Sequence, residues 1–234
     1  MKRALFILAS AAVLFQTTVF AAPIGIPGAT VGANKSRVGA EVYLLFDRDL
    51  DPIGIGDLPG DEVESHQVIV KGEVGLNNRV DLNVRLGFGD FEASNVENPP
   101  EAIDTDTGPV FGVGFKVTWA DIPGANLKIG TVAQTLRLRG EQGNLRHSLT
   151  EYDLAIGVFL DPPKGPPKQQ KEIILLPYGG LAWSGLDVNG DTREEDVFGI
   201  FVGLALKIGN KMHANIELRI PEQTALTVSA AYNF

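Results

Sequence analysis

Three features of the chain predict an all-β fold, a transmembrane antiparallel up-and-down β-barrel of ten strands preceded by a cleaved signal peptide. At the C-terminus, Thr224, Leu226, Val228, Ala230, Tyr232 and Phe234 share one face of a period-two pattern, and Gln223, Ala225, Thr227, Ser229, Ala231 and Asn233 share the other. The same alternation recurs along the chain in segments of about ten residues separated by turn signals. At the N-terminus, Lys2 and Arg3 precede apolar Ala4 to Phe15 and the cleavage-type Val19-Phe20-Ala21.

The first segment sets Val38, Ala40, Val42, Leu44 and Phe46 against Arg37, Glu41, Tyr43 and Asp47. The second sets Val68, Val70, Val74 and Leu76 against Gln67, Lys71 and Glu73, and the third Val80, Leu82, Val84, Leu86 and Phe88 against Arg79, Asp81, Asn83 and Arg85. A helical period does not sort these residues. The fourth opposes Phe111, Val113, Phe115, Val117 and Trp119 to Gly112, Gly114, Lys116 and Thr118; the fifth, Asn126 to Leu138, is out of phase in its middle and suggests a bulge. The sixth opposes Tyr152, Leu154, Ile156, Val158 and Leu160 to Glu151, Asp153, Ala155 and Gly157, while the seventh, Ile173 to Trp183, is apolar on both faces. The eighth turns Phe198, Ile200, Val202, Leu204 and Leu206 outward, and the ninth Met212, Ala214, Ile216, Leu218 and Ile220, with Lys211, His213, Asn215, Glu217 and Arg219 inward. The tenth is the C-terminal segment. Eight and twelve strands are the alternatives that these turn signals leave open.

Cleavage after Ala21 makes 1–21 the signal peptide, 22–36 a flexible Gly- and Pro-rich lead-in and 37–234 the barrel. The apolar run is shorter than the ~20 residues of a spanning helix. The chain has no cysteine, which excludes disulfides and thiolate metal sites. Without Lys2 and Arg3, eighteen basic side chains face twenty-nine acidic ones, a net charge of −11 that argues against nucleic acid as a partner.

Connections of alternating length support the barrel: residues 48–62, 90–108, 139–147 and 185–195 are long, whereas Asn77-Asn78, Asp121–Ala125 and Gly209-Asn210 are short. Aromatic side chains gather at two levels. Phe46, Phe88, Phe111, Tyr152, Trp183 and Phe198 fall at the long-loop ends, and Trp119, Tyr232 and Phe234 at the short-turn ends, as girdles do. Five outward residues per strand cover on the order of 25 Å, the height of an apolar membrane band.

The inner face collects charges. Its network comprises Glu41, Lys71, Glu73, Asp81, Arg85, Lys116, Glu151, Asp153, Lys211, Glu217 and Arg219; with Arg37, Arg79, Lys207, Asp47 and Asp161 added, eight bases oppose eight acids. This balance suits a lumen closed by ion pairs, and the same residues would line a narrow pore if it conducts.

The terminal strand ending in Tyr232-Asn233-Phe234 resembles the strand by which outer-membrane barrels are recognised by their assembly machinery. The mature chain is similar to the small outer-membrane barrel class of OmpA transmembrane domains, OmpX-like proteins and opacity-type adhesins, most of which have eight strands. The resemblance implies outer-membrane localisation in a Gram-negative-type bacterium, both termini in the periplasm, and membrane lipids and lipopolysaccharide as partners. It carries no functional residue across.

The remaining negative charge lies in the long loops, with Asp49, Asp51, Asp57, Asp61 and Glu62 in the first, Asp90, Glu92, Glu97, Glu101, Asp104 and Asp106 in the second, and Asp187, Asp191, Glu194, Glu195 and Asp196 in the fourth. These are the expected contacts for an extracellular ligand or divalent cations. No resident metal or cofactor is expected: Asp187-Val188-Asn189-Gly190-Asp191 begins like a calcium loop, but Thr192 and Phe198 stand where the glycine and the bidentate acid belong. Some barrels of this size are enzymes, yet alternation sends His147 inward and its neighbour Ser148 outward, so they form no base and nucleophile pair. The proline-rich turn 161–168 reads as a stiff spacer. The sequence thus predicts a nonenzymatic surface barrel, adhesin-like or envelope-stabilising, with a narrow porin-like channel as the alternative.

Overall fold

The computed structural model describes residues 24–48, 63–94, 102–122, 124–161, 173–188, 192–193, 197–209, 211–220 and 223–234. The predicted signal peptide, the first acidic loop from Asp49 to Glu62, residues 95–101 of the second loop, residues 189–191 and 194–196 around the fourth, and residues 162–172 of the proline-rich turn lie outside these residues. The elements are β1 (Ser36–Arg48), β2 (Val63–Asn77), β3 (Val80–Ala93), β4 (Ile103–Asp104), β5 (Gly108–Ile122), β6 (Leu127–Gln142), β7 (Leu145–Leu160), β8 (Ile173–Val188), β9 (Thr192–Arg193), β10 (Val197–Ile208), β11 (Met212–Ile220) and β12 (Gln223–Asn233). Ten of them form a closed antiparallel barrel in chain order, because β12 pairs with β1 and β10 with β8; the two-residue β4 and β9 lie beside β3 and β8 at the long-loop end.

Closure follows from the constraint that a strand in hydrocarbon must bond both edges. The seam joins the first and last strands: β1 and β12 pair from Arg37 opposite Asn233, and the Phe234 amide donates to the Ser36 carbonyl at 2.9 Å. The start of β1 and the end of β12 therefore lie at the short-turn end.

The outer wall carries the apolar face of every segment. Val68, Val84, Leu86, Val113, Phe115, Leu154, Ile156, Val202 and Ile216 are exposed, as are all nine girdle aromatics, from Phe234 at 72% to Trp183 at 38%. Leu44, on the outward face of β1, is instead buried.

Three details depart from expectation. The fifth segment, β6, alternates without interruption; it is reversed, with Val132, Leu136 and Leu138 inward and Thr131, Ala133 and Thr135 outward. The irregularity lies across from it, at Trp119, where the β5 register slips between Thr118 and Ala120. The third long loop contracts to a two-residue turn at Gly143-Asn144, because Gln142 and Leu145 still pair and Gly143 takes φ 62°, as the first position of a tight hairpin can.

The largest departure concerns residues 24–35, expected as a flexible lead-in. They run inside the barrel, crossing from the short-turn end at Lys35 to the β6 and β7 wall and back to β11. The segment is fitted to glycines in the wall: a Cβ at Gly75 would lie 1.9 Å from the Gly32 carbonyl oxygen, and one at Gly130 1.9 Å from that of Pro27. Replacement Gly75→Val is therefore expected to expel the segment while the barrel stays closed. Trypsin should then cut after Lys35 in the folded variant and not in the wild-type protein, with heat-modifiable gel mobility as the check on barrel integrity.

Candidate functional site

The lumen is filled at three levels. Toward the long loops, Tyr43, Leu45, Ile69, Phe91, Val110, Leu136, Leu138, Leu149 and Leu186 pack into one buried apolar cluster. Ion pairs occupy the middle. Toward the short turns lies the N-terminal segment, with Ile24 packed among Phe159, Leu176, Tyr178 and Phe201.

The middle layer forms one connected network. Glu41 on β1 accepts from Lys71 Nζ at 2.6 Å and Arg85 Nε at 3.0 Å, and Glu73 lies within 3.5 Å of Arg37, Lys71 and Lys116. Arg85 donates to Gln134 Oε1 at 2.7 Å, and Gln134 Nε2 donates to Asp153 at 2.8 Å. Beyond this bridge, Arg219 meets Asp153 at 2.9 Å, Glu151 at 3.5 Å and Glu217 at 3.6 Å, the Tyr43 hydroxyl donates to Glu151, and Ser184 donates to Asp153 at 2.7 Å. Four cations thus gather on β1, β2, β3 and β5, and three carboxylates with one cation on β7 and β11.

Among the described residues, five buried bases (Arg37, Lys71, Arg85, Lys116, Arg219) face six buried acids (Glu41, Glu73, Asp81, Glu151, Asp153, Glu217). The acids least matched by cations are the two that hold the N-terminal segment. Asp81 Oδ2 accepts the amides of Thr30 at 2.6 Å and Val31 at 3.0 Å; Glu217 accepts those of Ile24 at 2.9 Å and Gly25 at 2.7 Å, and the Tyr178 hydroxyl at 3.0 Å. Thr118 Oγ1 accepts the Ala29 amide at 3.0 Å, and Asn34 and Lys35 pair with the Gly75 backbone. Four backbone dipoles therefore solvate these two carboxylates in place of water, although Asp81 Oδ1 has no hydrogen-bond partner.

Of the eleven network residues expected from alternation, ten are buried here. Lys211 is not: it stands exposed in the turn before β11, with Nζ 5.7 Å from the centre of the Tyr232 ring, because strand alternation no longer dictates direction in the turn. Arg79 likewise lies in the β2–β3 turn, exposed beside Asp121. Gln134, Tyr178 and Ser184 were missed as network members; the signal for Gln134, a polar residue alternating with apolar inward neighbours, lay hidden in the reversed face of β6. Ser148 lies on the outer face, accepting from Arg137 at 3.4 Å, and Glu151 on the inner face, so the wall separates them. Among the described residues no group of three or more His, Asp or Glu side chains is placed to hold a metal ion; Asn189, Gly190 and Asp191 lie outside them.

Beyond the outer aromatic level the wall reverses polarity. On β2 and β3, Val68 and Phe88 face outward, but one step further His66 and Asp90 do, 2.8 Å apart, followed by Glu64 and Glu92, while Phe91, Val63 and Ala93 turn inward. On β7, Tyr152 gives way to Thr150 and Ser148 outside, with Leu149 inside. This change marks the edge of the hydrocarbon: below it the polar groups are inside, above it they face water.

A closed antiparallel barrel with an apolar outer belt and an ionised interior is an outer-membrane β-barrel, of the kind found in Gram-negative bacteria. No family model and no curated protein matches the chain. Among solved structures it is similar to the beta domain of the Bordetella autotransporter Brka (13% identity, TM-score 0.47, 85% of this chain and 98% of that one). It is also similar to an outer membrane channel from Pseudomonas putida F1 (12%, 0.42, 91% and 98%) and to the translocator domain of autotransporter NalP from Neisseria meningitidis (10%, 0.40, 100% and 94%). Likenesses this distant say nothing of what the chain does.

Arg219 alone faces three buried carboxylates. Replacement Arg219→Met is expected to cost about 3–5 kcal/mol, the usual penalty for stranding buried charge. Urea titration of the refolded protein in lipid, with the triple replacement Arg219→Met, Glu151→Gln and Asp153→Asn recovering much of the loss, checks this.

Proposed function

We propose that this chain is a closed, nonenzymatic outer-membrane barrel, with both termini on the periplasmic side, whose work is done by its acidic extracellular loops in surface contact or envelope stabilisation. The observation that carries this reading is the filling of the lumen at three successive levels, each by side chains or backbone with partners in the wall. The separation of Ser148 outside from Glu151 inside supports the nonenzymatic part. The grouping with opacity-type adhesins belongs to the same proposal.

A second reading, a narrow channel, is favoured by one feature: a cavity of about 50 Å³ beside the N-terminal segment, lined by Arg37, Glu41, Lys71, Glu73 and Lys116. Withdrawal of the segment would enlarge it. Single-channel recording in a planar bilayer separates the two. The full mature protein is expected to be silent, and so is a variant lacking residues 24–35, because the apolar layer still closes the long-loop half. Ion-selective steps from the deletion variant alone would establish a gated channel, and steps from both an open one.

A further inference from the structure

The outer wall of β6 differs from its neighbours. Its outward residues Thr131, Ala133 and Thr135 are half-buried, whereas flanking Phe115 on β5 and Leu154 on β7, both opposite Ala133, are exposed at 45% and 47%. The large side chains stand as ridges and β6 is the floor of a groove running along the apolar belt. Its foot is set by Trp119, whose Nε1 donates to Thr131 Oγ1 at 2.7 Å.

Two arginines stand at its head. Arg137 and Arg139 continue the outward row of β6 and are exposed, two and four residues beyond Thr135, which pairs with Tyr152 at the outer aromatic level. At ~3.4 Å per residue and a tilt near 40°, their Cα atoms lie about 5 and 10 Å beyond the hydrocarbon edge, at headgroup height. Among the described residues no carboxylate lies within 4 Å of either. The third arginine of this hairpin, Arg146, is already paired with Glu141 at 3.0 Å. Elsewhere at this height, on β2 and β3, the outward charges are Glu64, Asp90 and Glu92, so the basic pair is local.

We infer that the β6 face is a binding site for a phosphorylated glycolipid of the outer leaflet, with one acyl chain along the groove and a phosphate between Arg137 and Arg139. Guanidinium groups suit this role because they pair with phosphate oxygens through two parallel N–H donors. Occupancy would neutralise two cations at the membrane edge and fill the recess over β6. The inference rests on the proposed orientation, with the long-loop end outward, but its chemistry is testable independently.

Native mass spectrometry of the detergent-solubilised protein titrated with lipid A provides the test, since binding in detergent does not depend on orientation. One lipid A is expected to bind, with affinity at least tenfold weaker in the double variant Arg137→Gln, Arg139→Gln, and similarly weaker for lipid A stripped of its phosphates. Ala133→Trp, which fills the floor and keeps both arginines, should weaken binding as much. Equal binding by either variant overturns the inference, as does displacement of lipid A by millimolar inorganic phosphate or by phosphatidylglycerol at equal concentration. Heat-modifiable mobility verifies that each variant is folded. Orientation is read separately, by protease access to a tag in the 95–101 loop on intact cells; a tag cleaved only after lysis would refute the orientation and leave the binding result standing.

Discussion

Every other feature of this molecule depends on the requirement that strands in hydrocarbon leave no backbone N–H or C=O unpaired. An open sheet would expose an edge along its whole height, and closure between β1 and β12 removes it. Because the seam joins the first strand to the last, the barrel is complete only when the final residues are in place. Closure then dictates chemistry. One face of each strand must meet lipid, so polar side chains within the belt can go only inward, into a space too narrow for ten strands to leave open. Residues 24–35 precede β1 at the short-turn rim, and that same narrow space receives them.

Inside, the charges are almost paired among themselves, and the residual matters. Five bases for six acids leave Asp81 and Glu217 with weak cation partners or none, and each accepts two amides from the N-terminal segment. A peptide segment brings donors without bringing net charge, so it can solvate these acids without creating a new ion to be solvated in turn. Additional lysines in its place would have carried their own desolvation cost, which for a buried ion is several kcal/mol. The Gly and Pro content of the segment fits this function: small residues bring the backbone close enough for its amides, rather than side chains, to reach the wall.

This also explains what was legible in advance. Strand alternation is a property of side chains, and it located the outward face of nearly every strand, the nine aromatics and ten of eleven network residues. It failed in β6, where Thr131, Ala133 and Thr135 face lipid and Val132, Leu136 and Leu138 face the lumen, since a hydrophobicity pattern alone does not distinguish the two sides. It failed for Lys211, which sits in a turn. The docked segment left no trace in the sequence, because its bonds are made by backbone amides, which every residue but proline carries, and its partners Asp81 and Glu217 look like any other inward acid.

The reversal of polarity beyond the outer aromatic level changes how the loops should be pictured. Strands β2, β3, β6, β7 and β8 continue past the membrane edge with apolar residues inside and polar ones outside, so the top of the molecule is built like a small water-soluble barrel standing on a membrane one. The β6–β7 hairpin reaches well beyond the edge: from Tyr152 to Leu145 is seven residues, about 18 Å along the membrane normal at the same tilt. The connections at this end therefore leave their strands beyond the hydrocarbon edge. The charges just beyond the membrane edge are segregated around the rim rather than by height, with Glu64, Asp90 and Glu92 outward on β2 and β3 and Arg137 and Arg139 outward on β6. With the two signs of charge on different strands at one height, the rim presents an acidic side and a basic side to whatever meets it in the plane of the membrane edge.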